Sequence, residues 1–223
     1  MPLLALQIDL EILGVVRGAS TLVIDPSKTE SVYDVEDGLR HRRATTLAVE
    51  FVQQHPDVAA VFAERYLAPP PDLDQLLQLP PGSLGHAYAS YLHESGFEVD
   101  FYRVLAVEDD ASYFLLRMRQ THDIWHLVAG FHTDVPGELG LKAFELAQTR
   151  RPLSAVLLSG GVLSAVFKAP ETIGPLLEQI AIGYRLGATA EPFLAQRWEN
   201  HWERSLEDWR ALLNCQPVSH YQP

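Results

Sequence analysis

Apolar residues recur along most of this chain at three- and four-residue spacing, the mark of helices with one buried face. The pattern predicts helices over 3–17, Thr29 to Arg40, Arg43 to Gln54 and Pro56 to Leu67. Asp25-Pro26 reads as a helix start, and Asp57 places a negative charge in a first turn, where the helix dipole favours it. Pro69-Pro70-Pro71 is a rigid extended connector. It is no domain boundary, because apolar periodicity resumes at once in LDQLLQL. After Pro80-Pro81-Gly82, Ser83 caps a helix that runs to Ser95 and is closed by Gly96. FEVDFYRVLAV, from Phe97, alternates like a strand, but a lone strand makes no sheet, so the segment is expected to be extended or irregular.

Glu108-Asp109-Asp110 then caps a long apolar-periodic run, YFLLRMRQTHDIWHLVAGF. A turn follows, and a second helix ends near Thr149-Arg150-Arg151, before Pro152. Leu153 to Phe167 is apolar all round, which predicts a buried helix. Gly160-Gly161 inside it lacks the GxxxxGKS/T spacing of a phosphate loop. The pair permits close helix packing or a kink, or opens room for a chain-like ligand. Glu171 to Leu186 is a further helix, and a last long helix opens at Glu191 or Pro192. Trp198, Trp202 and Trp209 fall on it at helix-compatible spacing, a row that packs a core more often than it docks on a membrane interface. The expected architecture is all-α: one multi-helix domain over residues 1–223, of seven to ten helices.

The chemistry concentrates in HDIWHLVAGFHTDVPGELGLKAFELA, from His122 to Ala147. His122 and His126 are four apart, so a helix stacks them on one face, with Asp123 turned about 100° round the cylinder. Thr133, Asp134, Pro136 and Gly137 make a turn, and Pro136 suits the start of a new helix. With ends near Phe131 and Val135, His126 lies roughly 7 Å inside the first helix and Glu138 roughly 4–5 Å inside the second, at about 1.5 Å per residue. Two imidazoles and two carboxylates therefore meet across a helical hairpin, a set suited to a divalent metal: Zn, Fe(II), Mn or, less typically, Mg. A plainer alternative is a surface pair between Glu138 and Lys142 at i+4. The pattern is not the zincin HExxH, since Asp follows the first His. It also lacks the further His and distant Asp of HD-type phosphohydrolases.

Composition narrows the partners. A net charge of −12 argues against a nucleic-acid surface and against electrostatic anchoring on anionic lipid. One cysteine, Cys215, permits neither an internal disulfide nor a thiolate metal site. No apolar run reaches the ~18–20 residues of a membrane span. MPLLALQIDLEILG has no basic n-region and no arginine-rich character, so neither a secretory signal nor a transit peptide is expected there.

HDxxH followed by Glu138 resembles the signature of the coenzyme Q biosynthesis protein 4 family. Arg117-Met118-Arg119-Gln120 before the motif and GELGLKAFELAQT after it resemble that family's flanks. PPGSLGHAYASYL from Pro80 and YRLGATAEPFLAQRWENHWERSLEDWRALL from Tyr184 resemble its other blocks. The resemblance implies a role in ubiquinone biosynthesis, with a polyprenylated aromatic precursor whose ring sits near a metal held by His122, Asp123, His126 and Glu138. It implies a prenyl tail between helices, self-association, peripheral membrane contact and other quinone-biosynthesis proteins as partners. Without an import signal, the chain looks like a bacterial-type, cytoplasmic member. The chemistry it implies is oxidative decarboxylation, in which a hydroxyl replaces the ring carboxylate; the alternative is a lipid-binding scaffold with a structural metal. From outside the resemblance, Arg117 and Arg119 suggest a hydrolase of prenyl phosphates, with the two guanidiniums on the anionic head group or, equally, on surface carboxylates. Gly160 and Gly161 mark the expected path of the tail. No residue is assigned a catalytic role from the sequence.

Overall fold

The computed structural model describes residues 29–96, 103 and 105–217. The helix expected over 3–17, and residues 97–102 and 104 of the strand-like stretch from Phe97, lie outside these. The described residues form one all-α domain of ten α-helices with no strand. In chain order these are α1 (Thr29–Leu39), α2 (Arg43–Val52), α3 (Pro56–Glu64), α4 (Leu73–Leu76) and α5 (Leu84–Ser95). Then come α6 (Asp110–Ala129), α7 (Val135–Thr149), α8 (Pro152–Lys168), α9 (Ile173–Thr189) and α10 (Leu206–Leu212). A single antiparallel bridge joins Ser83 to Ser205.

The axis of the molecule is α6. Asp109 caps it by accepting from the Ser112 amide at 2.7 Å, and the Ser112 hydroxyl returns to the Asp109 amide, a capping box. Gly130 ends it at φ 78°, a left-handed conformation that costs glycine little. Arg210 donates to the carbonyls of Val128 and Leu127 at 3.0 and 2.9 Å, satisfying oxygens that a helix end leaves without partners. Fifteen of its twenty residues are buried, Tyr113, Phe114, Met118, Ile124, Trp125 and Val128 among them. Against Trp125 stands an aromatic cluster: Phe144 at 5.9 Å and Phe193 at 5.4 Å, centroid to centroid, with Trp198 and Trp209 beyond.

Helix α7 starts where the turn signals place it, with Asp134 accepting from the Gly137 amide at 2.9 Å and Pro136 in the first turn. It is clamped by α9 at very close range. A Cβ on Gly183 would stand 1.9 Å from the Gly140 carbonyl oxygen, so only glycine lets the two backbones touch there.

Two expectations need correction. The last long helix does not form. Phe193–Ala195 and Trp198–Asn200 are single 3-10 turns, followed by the short α10. The reason is a competing backbone partner: Leu84 and Gly85 donate to the Arg204 and Trp202 carbonyls at 2.8 Å, and Leu206 donates to the Gly82 carbonyl at 2.9 Å. These bonds tie 202–206 to the start of α5. Trp198 and Trp209 still enter the core, so the packing role expected of the tryptophan row holds for them. Second, α8 is a helix but not a buried one. Leu163 and Val166 are each 47% exposed and Phe167 is 75% exposed.

Candidate metal centre

The helical hairpin brings three of the four expected ligands together. Ligand atoms of His122, His126 and Glu138 all lie within 4.8 Å of one another. Asp123 is buried on the same helix but is not in that group. Its charge acts instead on Tyr91 of α5. Burial, then the Asp123 and Glu138 carboxylates, push the Tyr91 phenol up to about 12.

Each histidine is held by its Nδ1. His126 Nδ1 lies 3.0 Å from the Phe131 carbonyl oxygen, which can only accept, so Nδ1 carries the proton. His126 Nε2 is then left 3.1 Å from Glu138 Oε1, buried and making no hydrogen bond. A nitrogen lone pair facing a carboxylate oxygen at that distance requires either a proton or a cation between them. Without metal the proton wins. Burial alone would hold His126 below the usual imidazole range, but the adjacent Glu138 carboxylate outweighs it and raises the ring. For Glu138, burial favours the neutral acid, and His126 outweighs it, followed by His122 and Lys142, holding the carboxyl at about 2.

His122 repeats the arrangement from the other side. Its Nδ1 lies 3.2 Å from Glu145 Oε1, and its Nε2 points toward Glu138 Oε2 at 3.9 Å. The two rings stand edge to face at 4.7 Å. Glu145 is itself buried, and its carboxylate meets Lys142 at 2.8 Å, Ser154 at 2.8 Å and Arg151 at 3.5 Å. Burial opposes its ionisation, yet Lys142, His122 and Arg151 together hold it well below the usual carboxylate range. Lys142 is therefore not the partner of Glu138 in an exposed pair; it is buried and turned toward Glu145. Two imidazoles and one carboxylate, each imidazole anchored through its far nitrogen, fit a divalent cation with open positions left for other ligands.

Glu145 and Tyr91 were not singled out by sequence, and Lys142 only as a surface partner of Glu138. Glu138, Lys142 and Glu145 are spaced four and three apart, one face of α7, and that spacing was the available signal. For Tyr91 no signal at the motif existed, since α5 meets the hairpin only in the fold. His86 and His93 of α5 take no part in the cluster.

The two arginines do not face an open pocket. Arg117 is fully buried and pairs with both carboxylate oxygens of Glu199, at 2.5 and 3.0 Å, and with the Gln196 carbonyl at 2.9 Å. Arg119 pairs with Glu36 at 2.6 Å and Asp37 at 3.0 Å. Both guanidiniums are thus engaged by carboxylates, as the plainer alternative had it, though in the interior rather than on the surface. Gly161 is filled space as well: a Cβ there would stand 2.4 Å from the Leu139 side chain. The glycine serves close packing of α8 on α7. An apolar groove of about 420 Å³ does run along α8 and α9, but it is lined by Leu158, Ser159, Val162, Leu163, Val166, Leu177 and Ile180, not by Gly160 or Gly161. No helix among the described residues is long and apolar enough to cross a membrane.

Comparison with known proteins agrees with the family resemblance of the sequence. The sequence family described as Coenzyme Q (ubiquinone) biosynthesis protein Coq4 matches residues 26–219. The mitochondrial ubiquinone biosynthesis protein COQ4 homolog of Danio rerio is 32% identical over 152 residues, 66% of this chain and 55% of that protein. The mitochondrial COQ4 protein of Coprinopsis cinerea is 28% identical over 141 residues, 62% of this chain and 48% of that protein. The chain thus spans about half the length of these curated relatives. A crystal structure of a candidate ubiquinone biosynthesis protein from Nostoc punctiforme superposes with a TM-score of 0.83 at 36% identity, covering 92% of this chain and 98% of that one. With nearly its whole length matched, the chain belongs to the coenzyme Q biosynthesis protein Coq4 family.

Proposed function

We propose that this protein acts in ubiquinone biosynthesis by holding a polyprenylated aromatic precursor beside a divalent metal bound by His122, His126 and Glu138. The observation that carries the reading is the convergence of ligand atoms from His122, His126 and Glu138 within 4.8 Å of one another, with His126 Nε2 buried and 3.1 Å from Glu138 Oε1. A bound Zn, Fe(II), Mn or Mg supplies Lewis acidity toward an oxygen of the aromatic ring, and Fe(II) or Mn adds redox chemistry. The chain's own residues do the rest. Phe131 and Glu145 fix the two imidazoles, and Tyr91, its phenol kept protonated by burial and by the Asp123 and Glu138 carboxylates, is a candidate donor to a ring substituent. The prenyl tail lies in the α8–α9 groove. Leu139, the residue after Glu138, packs beneath Leu158, Val162 and Ile180 of that groove, so polar site and apolar channel lie near one another along α7.

Of the two activities, the open arrangement favours chemistry on the ring: its carboxyl group leaves as CO2 and a hydroxyl whose oxygen comes from O2 replaces it, the second oxygen atom being reduced to water by two electrons and two protons from an external reductant. Three ligands leave positions free, whereas a purely structural metal is usually closed by four. In the scaffold alternative, the protein presents the precursor to other quinone-biosynthesis enzymes. Hydrolysis of a prenyl phosphate loses its support, because the head-group arginines are engaged internally. Purified protein loaded in turn with each metal, then assayed for release of the ring carboxyl under oxygen, separates the two. Turnover without partner proteins establishes an enzyme; no turnover with any metal, while precursor remains bound, establishes the scaffold.

A further inference from the structure

Glu145 is the most deeply buried carboxylate near the site, with no exposed surface. A buried carboxylate is tolerated only when its oxygens are matched, and here each oxygen has a separate set of partners. Oε2 accepts from the Ser154 hydroxyl at 2.8 Å and faces Arg151 at 3.5 Å. Oε1 accepts from Lys142 at 2.8 Å and lies 3.2 Å from His122 Nδ1. Behind it the charges continue inward. Arg151 pairs with Glu36 of α1, Glu36 with Arg119 of α6 at 2.6 Å, and Arg119 with Asp37 at 3.0 Å. Four helices are therefore pinned to the carboxylate that touches His122, and Glu145 cannot turn away without leaving Arg151 and Lys142 short of a partner.

Two protonation patterns compete at His122 Nδ1. Lys142 Nζ is 3.4 Å away and could donate to it, which would put the ring proton on Nε2 and spoil that nitrogen as a ligand. The carboxylate oxygen is closer, at 3.2 Å, and can only accept. Were Nδ1 unprotonated, its lone pair would face that oxygen directly. Charge-assisted donation from Nδ1–H to the carboxylate removes the conflict, and Lys142 keeps its own shorter bond to Glu145. His126 solves the same problem with the Phe131 carbonyl.

We propose that Glu145 is the positioning residue of this site: it holds a proton of His122 on Nδ1 and so turns Nε2 toward Glu138, and the Glu36–Arg151 pair holds Glu145 in place. What the freed Nε2 is for rests on the metal reading above; the assignment of the proton does not. Lys142 neutralises the carboxylate without competing for the ring.

The test reads both consequences separately. Nitrogen-15 NMR of the imidazoles in metal-free protein, at about pH 8, above the ordinary imidazole range, reports which nitrogen of His122 carries the proton. Titration with Zn²⁺ reports affinity. Both are measured on wild type, on Lys142→Met, and on Lys142→Met/Glu145→Met, in which the acceptor is lost together with the buried cation it balances. Wild type and Lys142→Met should carry the proton on Nδ1 of His122. The double variant should shift it toward Nε2 and bind Zn²⁺ about 10–100-fold more weakly than Lys142→Met. His126 should keep its Nδ1 proton in all three, which a general loosening of the site would not allow. A wild-type His122 protonated on Nε2 overturns the proposal. So does a folded double variant with the proton and the affinity of Lys142→Met. Should the double variant not fold, the wild-type spectrum decides alone. If wild type binds no Zn²⁺ but shows Nδ1–H on His122, the metal reading fails and Glu145's role stands.

Discussion

His126 and Glu138 make the site pH-sensitive in two opposite ways. The raised pKa of His126 contributes stability that is full below the ordinary value of 6.5 and is lost as pH rises through the raised one. The depressed pKa of Glu138 contributes stability present above the ordinary 4.5 and lost as pH falls toward about 2. The metal-free protein should therefore be most stable on the weakly acidic side of neutrality, and its melting temperature should decline as pH rises past His126's titration. Metal affinity should climb over that same alkaline limb, because Nε2 must shed its proton to bind. Thermal melts and metal titrations across the range check both, and Glu138→Gln should flatten the two curves together. If melting temperature and affinity move in the same direction, the proton and the metal are not competing for one nitrogen. The residues of this pair were legible in sequence because i, i+4 spacing and a turn of known length place them on facing surfaces. Glu145 was not, because its partners outside α7 come from α6 and the start of α8, brought together only by the fold.

At the scale of the helix, sequence pattern located α6 and α7 well and misjudged α8. Uniform apolarity over Leu153 to Phe167 gives no direction of burial, and one face proves open. That face, not the Gly160-Gly161 pair, is the place to probe ligand binding. Val166→Glu puts a charge in the α8–α9 groove at a half-exposed position. It should weaken binding of a prenyl lipid at least several-fold while changing stability by no more than about 0.5 kcal/mol. Gly161→Leu should do the reverse of a clean probe, losing about 1–3 kcal/mol by overpacking against Leu139. Denaturant melts beside lipid-binding titrations of both variants distinguish them; undiminished binding in folded Val166→Glu would remove the groove from the account. The segment from Glu191 failed as a helix for a related reason: its backbone bonds go to α5, a partner that local periodicity does not reveal.

Across the whole molecule, charge inside matters more than charge outside. The net −12 hid arginines whose carboxylate partners lie 82 or more residues away in sequence, Arg117 with Glu199 and Arg151 with Glu36 among them. Breaking such a pair by one partner strands a buried charge. Arg117→Met should therefore cost about 3–5 kcal/mol in denaturant unfolding. It should leave Zn²⁺ affinity unchanged where the protein remains folded, since Arg117 bonds to Gln120, Gln196 and Glu199 and not to the ligands. A small loss of stability with a large loss of affinity would return Arg117 to the site. The all-α class and the family were readable because they rest on periodicity and on motifs distributed along the chain. The burial of the charged network was not, because the same residue types on a helix surface would read alike.

The central claim is that His122, His126 and Glu138 share one metal. Its most direct test is elemental analysis of purified wild type, His122→Ala, His126→Ala and Glu138→Ala, each paired with complementation of a quinone-deficient strain. Wild type should hold about one divalent metal per chain, every single variant should lose metal and quinone synthesis sharply, and pairs should lose little more. Full rescue by Glu138→Ala with unchanged metal content would contradict it.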